Sequence, residues 1–196
     1  MSGRTGWRWI LGLGILVGVA GCVAAMAWGW IFKEDARNFH VVTPGVLYRS
    51  AELEPEDLAE TVRRYQVKTI VNLREDTKFV ARGLSEKTWA ESQGLRYVYL
   101  PAESETEEGR LHRFLEVVSK PESQPALVHC HQGQTCTGLA VAAYRVCVEG
   151  WSAKDAAAEM VKYGARGSFA ERSLPLLQKL KDTDGAKFSR AQPAGR

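Results

Sequence analysis

Several things are scarce in this 196-residue chain, and each scarcity removes a class of protein. No run of one charge sign occurs: 26 basic residues face 23 acidic ones, a formal net charge of +3. Nothing resembles the basic stripe of a nucleic-acid binder, and so small a balance does not name a partner. Cysteine occurs four times, as Cys22, Cys130, Cys136 and Cys147. That is too few, and too clustered toward the C-terminal half, for the disulfide framework of a small secreted scaffold. Internal repeats are absent, which excludes stacked-repeat architectures. Charged residues make up 25% and hydrophobic residues 45%, the balance of an ordinary folded chain with apolar residues to spare. The length fits about one domain.

The spare apolar residues sit at the start. Residues 9–32 (WILGLGILVGVAGCVAAMAWGWIF) carry no charge. About 20 apolar residues span a bilayer as a helix. Trp7 and Trp9 at one end and Trp28 and Trp30 at the other match the aromatic belts of a spanning segment. We expect a short tail (1–8), then a single-pass transmembrane anchor (9–32), with a slight lean to N-terminus inside because Arg4 and Arg8 would otherwise cross. Two other readings stay open. Val19-Ala20-Gly21-Cys22 resembles a lipobox in which Cys22 is lipidated, and the segment also reads as a cleaved signal. Gly14 and Gly18 form a GxxxG pair, weak support for helix association in so glycine-rich a stretch.

From residue 33 to 181 short strands alternate with helices, which predicts an α/β layer fold. Residues 41–50 read as extended chain broken by Pro44-Gly45. Pro55 suits the first turn of a helix carrying Leu58, Val62 and Tyr65 on one face. Strands are expected at 68–73, 96–100 and 126–129, and helices at 84–92, 108–118, 137–148, 153–163 and 169–180. Residues 182–196 read as a polar, frayed tail.

The chemistry concentrates in residues 129–138, HCHQGQTCTG, where a buried strand meets an apolar helix. Gly133 permits a tight bend with backbone N–H groups turned inward, and the following helix aims its positive end at the same point. The result is an anion cradle with the Cys130 thiol at its base. The same field lowers a thiol's pKa, and a thiolate facing a phosphoryl group is placed for nucleophilic attack. His129, Cys130, Gly133, Thr137 and Gly138 match the signature of the protein tyrosine and dual-specificity phosphatases, which the stretch resembles: His-Cys, five residues, Arg, then Ser or Thr. VLYRSAEL (46–53), TIVNLRED (69–76), YVYLPA (97–102) and EMVKYG (159–164) stand in the order of that family's small bacterial and fungal members. The resemblance covers about residues 38–180. It implies a three-layer cysteine-phosphatase fold, a short central sheet flanked by helices. It implies Cys130 as nucleophile of a phosphocysteine, His129 setting its environment, and Thr137 donating to the sulfur as it leaves. The amides of His131, Gln132, Gly133, Gln134, Thr135 and Cys136 would hold the phosphoryl oxygens. No cofactor or metal is implied; the partner is a phosphorylated protein or a small phosphomonoester.

Two positions depart from the pattern. Cys136 stands where the family has arginine, whose planar fork binds two oxygens at once and whose charge is permanent. Losing one oxyanion donor typically costs about 10²–10³ in rate. Impaired phosphatase activity is therefore expected, with a catalytically inactive phosphate-binding pseudophosphatase as the alternative. The family's general-acid aspartate is also missing: PAESETEEG (101–109) offers glutamates only, with Glu103 or Glu105 as candidate donors. His131, Arg145 and Arg166 are the cations weighed as substitutes for the missing arginine. The crowding of His129, Cys130, His131 and Cys136 also raises a metal site, which the spacing disfavours, and a Cys130–Cys136 disulfide.

Overall fold

The structure is a computed structural model that describes residues 37–74, 85–102 and 105–189. The predicted anchor at 9–32, with Cys22, lies outside the described residues. Among the described residues no helix is long and apolar enough to cross a membrane.

Strands β1 (His40–Thr43) and β2 (Leu47–Ser50) form a hairpin about the Pro44-Gly45 turn, with Gly45 at φ +71°. Then follow α1 (Pro55–Tyr65), β3 (Thr69–Asn72), α2 (Glu86–Ser92), β4 (Arg96–Tyr99) and α3 (Glu107–Val118). After a single 3₁₀ turn at Pro121–Ser123 come β5 (Ala126–His129), α4 (Thr135–Cys147), α5 (Ala153–Lys162) and α6 (Gly167–Phe188). The sheet order is β1-β2-β5-β3-β4, parallel throughout except for the β1–β2 pair. This is the predicted α/β fold with a short central sheet between helices.

Alternation along the strands makes the layers. Tyr48, Ile70 and Leu127 point to one face and pack with Leu58 of α1 and Ala90 of α2. Leu47, Val71 and Val128 point to the other face, where α4 supplies Leu139, Val141 and Tyr144 and α6 supplies Leu177 and Leu180. Helix α4 is buried nearly all round, as its uninterrupted apolar sequence requires. Parallel strands buried on both faces need such continuous apolar runs. β5 is central, so its C-terminal end, His129, opens between the ends of β2 and β3. Ligands in such sheets bind outside the carboxyl ends of the strands.

Two boundaries differ from expectation. Helix α4 begins two residues before Thr137, because the Gln134 carbonyl already accepts the Gly138 N–H at 2.9 Å. Helix α6 runs on to Phe188 through the first half of the expected tail. Phe188 is buried, Asp184 pairs with His112 at 3.0 Å, and Lys187 reaches Glu116 at 3.4 Å, so α3 holds a stretch that composition alone reads as polar.

Candidate active site

The end of β5 delivers His129 and Cys130 to the rim of the sheet, and the chain turns through residues 130–134 into α4. Neighbouring strands fix this turn. The Leu73 N–H donates to the His129 carbonyl at 2.9 Å and the Glu52 N–H to the His131 carbonyl at 3.2 Å. Asn38, itself at φ +50°, donates from Nδ2 to the Gln132 carbonyl at 3.2 Å and to the Tyr163 carbonyl at 3.1 Å. Gly133 has φ +68°, and a Cβ there would stand 2.7 Å from the Ala51 nitrogen. Only glycine lets the loop lie this close to β2. Beneath it the fully buried Arg49 donates from Nη2 to the Gly133 carbonyl at 2.5 Å, with its guanidinium 4.6 Å from the centre of the Tyr163 ring. Burial lowers the Arg49 pKa, opposed by the charges of Glu159, Tyr163 and Cys130.

The loop and the residues after β3 and β4 enclose a cavity of about 540 Å³. Cys130, His131, Gln132, Thr135 and Cys136 form one side of it, and Leu73, Arg74 and Ala102 the other. The Cys130 thiol is pulled down to about 4. The largest cause is a hydrogen bond from the Cys136 thiol; burial opposes it, and the Thr137 hydroxyl and the Thr137 and Gly133 amides add to it. Cys136 is raised above the ordinary thiol range because it is the donor of that bond. The Thr137 hydroxyl is fully buried next to Cys130, whose pKa it helps to lower. His129 is buried, with Nε2 2.8 Å from Glu86 Oε1. Burial works against its charge, but the Glu86 carboxylate and the Cys130 thiolate outweigh burial and raise its pKa.

The expected site residues thus gather, with distinctions. Gly133 works through its backbone, since it is buried beneath the cavity floor. The Gln134 side chain lies against Gly164, so its contribution is likewise backbone. Glu103 lies outside the described residues. Glu105 Oε1 accepts from Arg113 Nη1 at 2.8 Å, and its other oxygen lies at the first turn of α3. Of the weighed substitute cations, Arg145 is not at the cavity: Glu159 grips it with two bonds, at 3.1 and 2.7 Å, and Glu149 with one at 2.6 Å. Arg166 is exposed ahead of α6 and does not line the cavity either. His131 does line it, with Nδ1 3.3 Å from Glu52 Oε2. Cys130 and Cys136 are both free thiols, and among the described residues no three His, Cys, Asp or Glu side chains cluster as a metal site.

Sequence reasoning missed four residues. Glu86 opens α2 and pairs with His129; Arg49 braces the loop from β2; Arg74 lines the cavity and forms an ion pair with Glu52; Arg110 adjoins Cys136. Only Arg49 carried a signal, as a charge placed inside the strand-like VLYRS.

Comparison with known proteins agrees with this geometry. The chain is 29% identical over 156 residues to the dual specificity protein phosphatase TpbA of Pseudomonas aeruginosa (strain UCBPP-PA14), covering 79% of this chain and 67% of TpbA. The crystal structure of P. aeruginosa TpbA in complex with pTyr superposes with a TM-score of 0.57 at 25% identity, over 82% of this chain and 93% of that one. The core catalytic domain of the PP-IP phosphatase SIW14 from S. cerevisiae shares the fold, with a TM-score of 0.63 at 21% identity over 80% and 94% of the two chains. The family model for the DSP-PTPase phosphatase fused to NAD+ kinase matches residues 39–174, a span that holds every strand of the sheet and the whole phosphate loop, and the chain belongs to that dual-specificity phosphatase family.

Proposed function

We propose that this protein hydrolyses phosphotyrosine or related phosphomonoesters through a phosphocysteine on Cys130, with turnover lowered by the cysteine at 136. The observation that carries this reading is the Cys130 thiol held at about 4 in the cavity wall, so that it is a thiolate at neutral pH. Its sulfur attacks phosphorus and the ester oxygen departs, taking a proton from Glu103 or Glu105. Water then attacks the phosphocysteine, and the Thr137 hydroxyl stabilises the sulfur as the P–S bond breaks. Likeness to TpbA, whose structure holds pTyr, supports phosphotyrosine as the substrate class. The uncharged Gln132 on the cavity wall argues against a densely phosphorylated small molecule.

A second reading, a pseudophosphatase that holds a phosphorylated protein, is favoured by Cys136 and by the tie between Glu105 and Arg113. Hydrolysis of a phosphotyrosine peptide by the full chain separates the two. We expect measurable turnover that Cys130→Ser abolishes and Cys136→Arg raises about 10²-fold or more. Binding of the peptide without turnover would select the second reading. No gain from Cys136→Arg would show that this position does not limit catalysis.

For residues 9–32 we propose a single-pass anchor, supported by the charge-free length and the flanking tryptophans. Membrane fractionation of the full chain checks it; release into the soluble fraction by salt alone would overturn it. A mass that falls on Cys22→Ala by no more than the one sulfur atom lost would exclude lipidation.

A further inference from the structure

Cys136 leaves the loop without its fixed cation, yet the elements packed around the loop carry four arginines, Arg49, Arg74, Arg110 and Arg145. Three of the four arginines nearby are committed. Arg49 is bonded to Gly133 and stacked on Tyr163, Arg145 is gripped by Glu149 and Glu159, and Arg74 is paired with Glu52. The fourth, Arg110, sits in the first turns of α3 and is 4% exposed. Its Nη2 makes one long contact, 3.4 Å to Glu107 Oε1, and its Nε and Nη1 are buried with no partner. It adjoins Cys136, whose thiol feels its positive charge. A buried charge that cannot lose its proton needs acceptors, and here two of the three guanidinium nitrogens lack them.

We propose that Arg110 replaces the missing loop arginine, its free N–H groups binding oxygens of a phosphoryl group seated over Cys130. Arg110 does not itself line the cavity but adjoins Cys136, which does, and a cysteine is far shorter than an arginine, so position 136 fills little of the space between the guanidinium and a phosphoryl group over Cys130. The guanidinium comes from α3 instead of α4. The fork geometry and permanent charge are the same, which is what a dianion requires. The proposal rests on the phosphate-loop reading above.

Protection of Cys130 from iodoacetamide by inorganic phosphate, mapped by peptide mass spectrometry on the full chain, reads binding without turnover. We expect protection of the native protein, and an apparent Kd for phosphate about tenfold weaker in Arg110→Gln, the usual worth of a charged hydrogen bond. In a Cys136→Arg background Arg110→Gln should cost little, because the loop then carries its own guanidinium. Equal phosphate affinity of native and Arg110→Gln proteins with matching melting temperatures overturns the proposal. So does a loss of the same size in both backgrounds, which marks Arg110 as structural. Should Arg110→Gln fail to fold, the exposed Glu107 decides: Glu107→Gln frees Nη2 and should tighten phosphate about threefold, whereas Glu108→Gln, paired with Lys179, should not. Equal effects of the two overturn it. Protection absent from the native protein but present in Cys136→Arg overturns Arg110 alone; absence from both overturns the phosphate-loop reading as well.

Discussion

At its strand end the phosphate loop is held by buried, directional contacts: His129 against Glu86, the Leu73 N–H on the His129 carbonyl, Arg49 beneath Gly133. At its helix end stands Cys136, whose thiol donates to Cys130. The two ends do different work. The strand end shapes the turn and holds the Cys130 thiol low, which depends on backbone shape and on hydrogen bonds strong enough to outweigh burial. The helix end brings the Cys136 thiol against that sulfur. The backbone of the turn is held by contacts from β2 and β3 that do not involve Cys136, whereas the low pKa of Cys130 draws on it.

The comparison is broken most forcefully at His129. Both members of the His129–Glu86 pair are nearly inaccessible, and removing one partner of such a pair costs about 3 kcal/mol. Glu86→Gln should lower stability by about that amount in denaturant titration. The sign with pH follows from His129. Its folded pKa lies above the unfolded value of about 6.5, so the pair's contribution is complete below that value and fades as pH rises through the folded one. The gap between native and variant should be widest near pH 6 and narrow toward alkaline pH; a gap constant with pH would mean the pair is not ionic.

Gly133 comes next. Alanine there must adopt φ +68° and place its Cβ 2.7 Å from the Ala51 nitrogen. Strain of about 2 kcal/mol is expected, and the loop must also shift away from β2. Gly133→Ala should therefore lose phosphate protection of Cys130 more completely than it loses stability, read by iodoacetamide kinetics beside thermal melts. Equal phosphate affinity would show that the loop's close approach to β2 is not what shapes the cradle.

How much of this was legible in the sequence follows the same division. Apolar periodicity in α1 and α3 and short apolar or β-branched runs elsewhere placed the main helices and strands of the described residues, because burial against a sheet selects them, but missed the end of α6. The loop was legible because Gly133 and Cys130 act through local backbone and a local field. The partners supplied by distant segments were not. Glu86 lies 43 residues before His129 and looks like an ordinary first-turn acid of a surface helix. Arg110 reads as one more charge on α3 until the fold brings it to Cys136. Phe188, buried at the end of α6, sits in a stretch whose composition is that of a tail. Long-range pairing leaves no period in the chain for a sequence reading to find.

The smallest expected effect sharpens the comparison most, because it asks whether the helix end still serves the strand end. The Cys136 thiol is the largest influence lowering Cys130 toward about 4, ahead of the Thr137 hydroxyl and the loop amides. Cys136→Ala removes that donor and leaves the rest, along with the burial that opposes ionisation. The pH at which Cys130 becomes reactive to iodoacetamide should therefore rise by about one pH unit or more, and stop short of an ordinary thiol. Cys136→Arg also removes the thiol but brings a fixed positive charge, so its inflection should stay low. If alanine and arginine give the same inflection as cysteine, the thiolate owes nothing to position 136 and the two ends of the loop are independent. If alanine alone rises, cysteine at 136 preserves one half of arginine's role, holding the nucleophile ionised. The other half, gripping the phosphoryl oxygens, is the role proposed above for Arg110, and the inflection leaves it to the phosphate-protection experiment.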